Sequence, residues 1–163
     1  MIKIYNDIEL NFLISYFDNN EKSYRKNKDR SYEFVVFANE EYNIITKLLK
    51  WFEKESGEKL KNKKYYLFIH NYKVGDYFAK HIDDVNRNDK SRAYVVGFHL
   101  NNDYEGGDYK LYNPDFIIDK TPGVPYYFKS DRLHEINKIS KGNRKSVLMF
   151  INYEDLIKKT TLI

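Results

Sequence analysis

From Lys63 onward the sequence breaks into short runs of aromatic and β-branched residues, each closed by a turn-forming cluster, and this pattern limits the possible folds more than any other feature of the chain. The runs are Tyr65–Tyr72, Tyr77–Ile82, Arg92–Asn101, Gly107–Tyr112, Asp115–Ile118, Tyr126–Lys129, His134–Ile139 and Lys145–Asn152. Eight short strands separated by turns predict a double-sheet jelly roll. Ahead of them, Met1–Tyr5 reads as a short strand. Asp7 caps a helix to about Phe17, with Ile8, Phe12, Leu13 and Tyr16 at helical spacing. The polar run Asp18–Arg30 reads as a loop and Tyr32–Phe37 as a strand. Asn39 caps a second helix to about Glu55, with Tyr42, Ile45, Leu48, Leu49 and Phe52 on one stripe and Gly57 ending it. Apolar stripes need partners, so both helices are expected to back one sheet and leave the barrel mouth open. The expected fold is mainly β with flanking helices (α+β), a double-stranded β-helix (jelly roll) backed by two N-terminal helices. Its 163 residues suit one domain: a helical support region over 1–62, a jelly-roll core over 63–153 and a tail over 154–163.

One strand carries chemistry. In YKVGDYFAKHID, His81 and Asp83 are two residues apart, and in an extended segment such residues project from the same face. A second histidine from a distant strand, His134, completes a set of two histidines and one carboxylate, the set that non-heme Fe(II) oxygenases use to hold a metal with open positions. The chain has no cysteine, which removes thiolate zinc sites, disulfides and cysteine nucleophiles and leaves nitrogen and oxygen as the only metal ligands. The N-terminus has no basic segment followed by an apolar stretch, and no run approaches the roughly 18 apolar residues of a membrane span, so a soluble cytoplasmic protein without membrane attachment is expected. The 28 basic and 24 acidic residues are interspersed for a net charge of +4, with a local cluster at Lys59–Lys64, which reads as a solvated mixed surface more than a nucleic-acid face.

Three stretches taken in order, YKVGDYFAKHIDD, RAYVVGFHLNNDYEGGDYKLY and PGVPYYFKSDRLHEINKISKGNRKS, resemble the catalytic domain of the 2-oxoglutarate and Fe(II)-dependent dioxygenases, specifically the prolyl 4-hydroxylase-like branch. The similarity covers roughly Tyr65 to Tyr153. HxD alone is weak; HxD followed by GG, PG, a histidine and a basic residue ten positions later is a specific combination. The resemblance implies that His81, Asp83 and His134 are the catalytic iron ligands. It gives Arg144 the far carboxylate of 2-oxoglutarate, which a planar guanidinium fork suits. Lys145, its neighbour, alternates to the opposite face. Tyr72 matches the family tyrosine that hydrogen-bonds the cosubstrate, and Tyr109 would line the same pocket. His99 stands where several relatives place a tyrosine near that carboxylate, and imidazole is shorter and titrates near neutral pH.

The implied cofactors are Fe(II), 2-oxoglutarate and dioxygen, with ascorbate as reductant, and the implied reaction decarboxylates 2-oxoglutarate to succinate while hydroxylating a C–H bond. Arg92 matches a position that touches substrate in some relatives. Alternation puts His70 and Phe68 with Tyr72, and Ser146, Leu148 and Phe150 with Arg144, as candidate pocket walls. The polar loop Asp84–Ser91 is flexible by composition and suits folding over a peptide, so the expected substrate is a prolyl residue in a peptide or protein. The same fold hosts hydroxylases of free amino acids or other small molecules and nucleic-acid dealkylases, and a metal-free jelly-roll binding module is the remaining class. Gly106 and Gly107 read as a turn or bulge, as do Pro122 and Gly123. Asp108 is expected to be solvated, and Asp84 and Glu135 fail as ligands because they point away from the Asp83 face.

Overall fold

Asn6, not Asp7, opens the first helix. In the computed structural model, which describes residues 2–20, 25–26, 33–37, 41–83 and 92–159, its side chain accepts from the Glu9 amide at 3.0 Å while the Glu9 carboxylate accepts from the Asn6 amide at 2.9 Å. This reciprocal capping box fixes the start of α1 (Asp7–Asn19). Leu10, Leu13 and Phe17 point inward, whereas Ile8, expected on the stripe, is 67% exposed. Glu9 is buried with them and forms an ion pair with Lys47 of α2 (Ile44–Ser56), tying the two helices together. The second helix begins later than its pattern suggests, because Tyr42 and Asn43 adopt left-handed backbone in a short 3-10 turn, Glu41–Asn43. Tyr42 therefore leaves the stripe and is exposed, while Ile44, Ile45, Leu48 and Phe52 are buried. Gly57 ends α2 in the left-handed conformation that glycine adopts without a steric penalty. The expected cap at Asn39 and most of the expected loop after α1 lie outside the described residues.

The strands are β1 (Arg25–Lys26), β2 (Glu33–Phe37), β3 (Leu67–Tyr72), β4 (Phe78–His81), β5 (Arg92–His99), β6 (Glu105–Gly106), β7 (Tyr109–Leu111), β8 (Phe116–Ile117), β9 (Pro125–Lys129), β10 (His134–Ile136), β11 (Ile139–Lys141) and β12 (Arg144–Asn152). A six-stranded antiparallel sheet runs β1-β2-β3-β12-β5-β9, and a four-stranded sheet runs β4-β10-β7-β8. A two-stranded pair, β11-β6, completes the double-stranded β-helix. One expected strand is shortened and another divided. Left-handed backbone at Gly107 trims the run Gly107–Tyr112 to β7, Glu105–Gly106 pairs separately as β6, and the run from His134 is divided between two sheets, β10 and β11. Met1–Tyr5 forms no strand over its described residues; Ile4 makes one backbone bond, to Gly123, at 3.0 Å.

Alternation then sorts the six-stranded sheet into two faces. Leu67, Ile69, Val96, Phe98, Val147, Met149 and Ile151 pack outward against Leu13, Phe17, Leu48 and Phe52 of the helices, so α1 and α2 do back this sheet. Tyr72, Val95 and Phe128 point inward and meet Tyr109, Leu111 and Ile136 of the four-stranded sheet. The helical face holds the sheet rigid; the inner face is left for chemistry. No helix among the described residues is long and apolar enough to cross a membrane.

Candidate metal and cosubstrate site

Pairing of β4 with β10 places His81 directly opposite His134, with ring centroids 4.1 Å apart. Each ring is oriented by its own strand: Nδ1 of His81 lies 2.7 Å from the Ala79 carbonyl and Nδ1 of His134 lies 2.7 Å from the Arg132 carbonyl. A neutral imidazole donating through Nδ1 keeps its lone pair on Nε2, the arrangement metal-binding histidines use. Both Nε2 atoms face Asp83, at 3.4 Å from Oδ1 and Oδ2 respectively. Asp83 itself is anchored just past the strand by its amide, which donates to the Ser130 carbonyl at 2.8 Å. Phe78 stacks on the His81 ring at 3.5 Å, and Phe128 lies edge-on to His134 at 4.9 Å, so neither imidazole turns freely.

The electrostatics match the geometry. Burial pushes the Asp83 carboxyl up, but a proton on Nε2 of the facing His134 and His81 rings outweighs it and holds the group below the usual carboxylate range, and a metal ion between the same atoms would take the place of that proton. One donor atom from each of the three residues lies within 4.8 Å of the others. His81 Nε2 is buried and has no hydrogen-bond partner. A carboxylate and two aligned imidazole lone pairs, with a buried acceptor left unsatisfied, suit a divalent cation held on one side and open on the other.

Deeper in the barrel, Arg144 is 1% exposed and lies directly across from Tyr72 in the β12–β3 pair. Its Nη1 donates to Ser146 Oγ at 2.9 Å and its Nη2 donates to His99 Nε2 at 3.1 Å. Its Nε has no acceptor, and among the described residues no carboxylate forms an ion pair with it. A buried cation without a counter-ion costs several kcal/mol on an order-of-magnitude view, which fits a site whose anion arrives with a ligand. Tyr72 and Tyr109 flank the guanidinium at 5.3 and 5.6 Å, and both also line the cavity that holds His81, Asp83 and His134. Lys145 points the other way, its ammonium 3.0 Å from Asp18 of α1.

His99 requires a correction. Burial, and then the charges of Arg144 and Lys120, push its pKa well below the ordinary 6.5, so this imidazole does not titrate near neutral pH. It is an acceptor for Arg144. The sequence reading also passed over Tyr126 and Tyr104, whose hydroxyls stand by the guanidinium and whose pKa values rise through burial while its charge pulls them down. The sequence predicts a strand over Tyr126–Lys129, but which face each of its tyrosines takes depends on its pairing with β5.

The cavity is walled by Phe68, His70, Phe78, Ile136, Leu148 and Phe150, with the Arg92 guanidinium 3.8 Å above the Phe150 ring at its rim. Loop Asp84–Ser91, expected to cover a peptide, lies outside the described residues. Glu135 turns away from the cavity and accepts from the Tyr112 hydroxyl, and Asp108 forms an ion pair with Lys120 at 2.6 Å.

The fold is shared with known hydroxylases. A Pseudomonas putida prolyl-4-hydroxylase superposes with a TM-score of 0.74 at 14% identity, over 92% of this chain and 89% of that one. The viral collagen prolyl hydroxylase of Paramecium Bursaria Chlorella virus-1, in its 2-oxoglutarate complex, gives 0.69 at 19% identity over 93% of both chains. A Trichoplax adhaerens prolyl hydroxylase, in complex with a peptide fragment of the hypoxia inducible factor oxygen degradation domain, gives 0.67 at 17% identity over 89% of this chain and 79% of that one. At these identities the shared property is the fold. No curated protein matches the chain by sequence. The sequence model of the 2OG-Fe(II) oxygenase superfamily matches residues 67–152, more than half of the chain and the segment that supplies all three candidate iron ligands together with Arg144. With that match and the prolyl 4-hydroxylase-like fold, the chain belongs to the 2OG-Fe(II) oxygenase superfamily.

Proposed function

We propose that this dioxygenase hydroxylates a prolyl residue within a peptide or protein and converts 2-oxoglutarate to succinate as it does so. The observation that carries the cosubstrate reading is the buried, counter-ion-free guanidinium of Arg144 within reach of the His81, Asp83 and His134 cluster. His81, Asp83 and His134 would hold Fe(II), and bound Fe(II) supplies a place for dioxygen and, with 2-oxoglutarate as electron donor, the oxidising power for the C–H bond. The chain's own residues do the rest. Asp83 contributes the one negative charge, the two backbone carbonyls fix the imidazole tautomers, and Arg144 with Tyr72 orients the far end of the keto acid. Phe78, Phe128 and Ile136 keep water from the inner side of the cluster. Ascorbate, keeping the iron ferrous, belongs to the same reading.

Two observations support a polymeric substrate. The cavity continues outward, through Phe68, Arg92 and Phe150, into a groove bearing Lys63, Lys64 and Tyr66, and a single amino acid would leave that groove empty. A structural neighbour with the same fold is described in complex with a peptide. The ring faces of Tyr65 and Tyr66 already carry the ammonium groups of Lys63 and Lys64 at 5.2 and 5.6 Å, which weighs against base stacking and hence against a nucleic-acid dealkylase. Incubation with Fe(II), 2-oxoglutarate, ascorbate and a panel of proline-containing peptides tests this. A proline-dependent gain of one oxygen atom is expected; oxidation confined to free amino acids or to methylated bases would overturn the prolyl reading.

A further inference from the structure

The chamber around Arg144 depends on a missing side chain. Gly97 faces Tyr126 across the β5–β9 pair, on the inner side of the sheet. A Cβ at Gly97 would lie 2.8 Å from the Tyr126 hydroxyl and 3.0 Å from its Cζ, closer than carbon contacts allow. Tyr126 therefore lies across the strand in the space a residue-97 side chain would fill, its ring 5.8 Å from that of His99 and 5.6 Å from that of Tyr109. Any larger residue at 97 would meet both the Val147 backbone carbonyl and the Tyr126 hydroxyl.

The phenols of Tyr72, Tyr104 and Tyr126 all stand around the guanidinium, and Tyr126 is set apart by its seat over Gly97 beside the His99 ring. His99 accepts from Arg144 through Nε2, so it braces the guanidinium, and Ser146 Oγ accepts from the other amino group. Burial holds the Tyr126 pKa at about 12 even with the guanidinium beside it, so the phenol keeps its proton and remains a donor. A carboxylate entering past Tyr72 and Tyr109 meets a braced cation with the Tyr126 and Tyr104 phenols beside it.

We propose that Tyr126 is a cosubstrate-binding residue, its hydroxyl, seated over Gly97, donating a hydrogen bond to the far carboxylate of 2-oxoglutarate beside Arg144. The proposal rests on the reading of this chamber as the 2-oxoglutarate site. Calorimetric titration of the Mn(II)-loaded protein with 2-oxoglutarate and with 2-oxopentanoate, which has a methyl group in place of the far carboxylate, tests it in wild type and Tyr126→Phe. The variant keeps the ring over Gly97, and an unchanged melting temperature verifies its fold. A hydrogen bond to a charged group predicts a loss of about tenfold or more in 2-oxoglutarate affinity, with 2-oxopentanoate unaffected. Equal affinity of the two proteins for 2-oxoglutarate, or an equal loss for both ligands, overturns the role of Tyr126. Failure of the wild type to prefer 2-oxoglutarate over 2-oxopentanoate instead overturns the chamber reading, and this proposal with it.

Discussion

His134 stands directly opposite His81 in the β10–β4 pair, and both rings turn Nε2 toward the same Asp83 carboxylate. Sequence separates the two histidines by more than fifty positions; sheet pairing brings them together. Backbone carbonyls orient each ring, so the cluster is built before any ion arrives.

That preorganisation predicts the behaviour of His134→Ala. Metal-free protein should keep its far-UV circular dichroism spectrum, with a stability loss of about 1 to 3 kcal/mol from the buried cavity. Mn(II) binding, measured by calorimetry, should fall below detection. Wild-type affinity in the variant would remove His134 from the ligand set.

Opposite faces of one strand give a second test. Arg144→Ala removes a buried, charge-assisted partner and should weaken 2-oxoglutarate binding to the Mn(II)-loaded protein by about ten- to hundredfold. Lys145→Ala, which loses contacts with Asp18 and the Phe17 ring on the helical side, should leave the affinity within about twofold, since neither contact reaches the chamber. Equal effects would contradict the placement of the guanidinium.

Acid should destabilise the metal-free protein through His99. Its folded pKa lies well below 6.5, its ordinary value, so the unfolded chain binds a proton there that the folded chain does not. The stability contribution is complete above that pH and is lost as pH falls below it, with a limiting slope of about 1.4 kcal/mol per pH unit. The cations facing the ring are Arg144 and Lys120. Asp83, also depressed, acts in the same direction but only below 3.8. Chemical denaturation at a series of pH values should show a shallower slope for His99→Gln, which does not titrate; identical slopes would mean that His99 is not the group responsible.

Local rules carried much of the architecture. Two-residue alternation places Phe68, His70 and Tyr72 on one face with Leu148 and Phe150, and the pairing of Tyr72 with Arg144 and of His70 with Ser146 preserves that order across strands. Apolar helical stripes located both helices and the sheet face they cover. What failed was long-range or geometric. Asn6 displaced Asp7 as cap because only its spacing to Glu9 closes the reciprocal bonds, and Leu10, Leu13 and Phe17, not Ile8, form the buried face. The titration of His99 depended first on its burial and then on the charge of Arg144, a neighbour 45 residues away. Tyr126 gave no signal of its own, because its position depends on the absence of a side chain at Gly97 on a different strand.

Succinate formation from 2-oxoglutarate, followed with Fe(II) and oxygen present and no added substrate, tests the central assignment most directly. Slow wild-type turnover that stops on chelation, that His134→Ala does not support above the blank, and that Arg144→Ala supports only at raised 2-oxoglutarate, is the predicted result. Succinate formed by His134→Ala at the wild-type rate would contradict the assignment of the iron site to His81, Asp83 and His134.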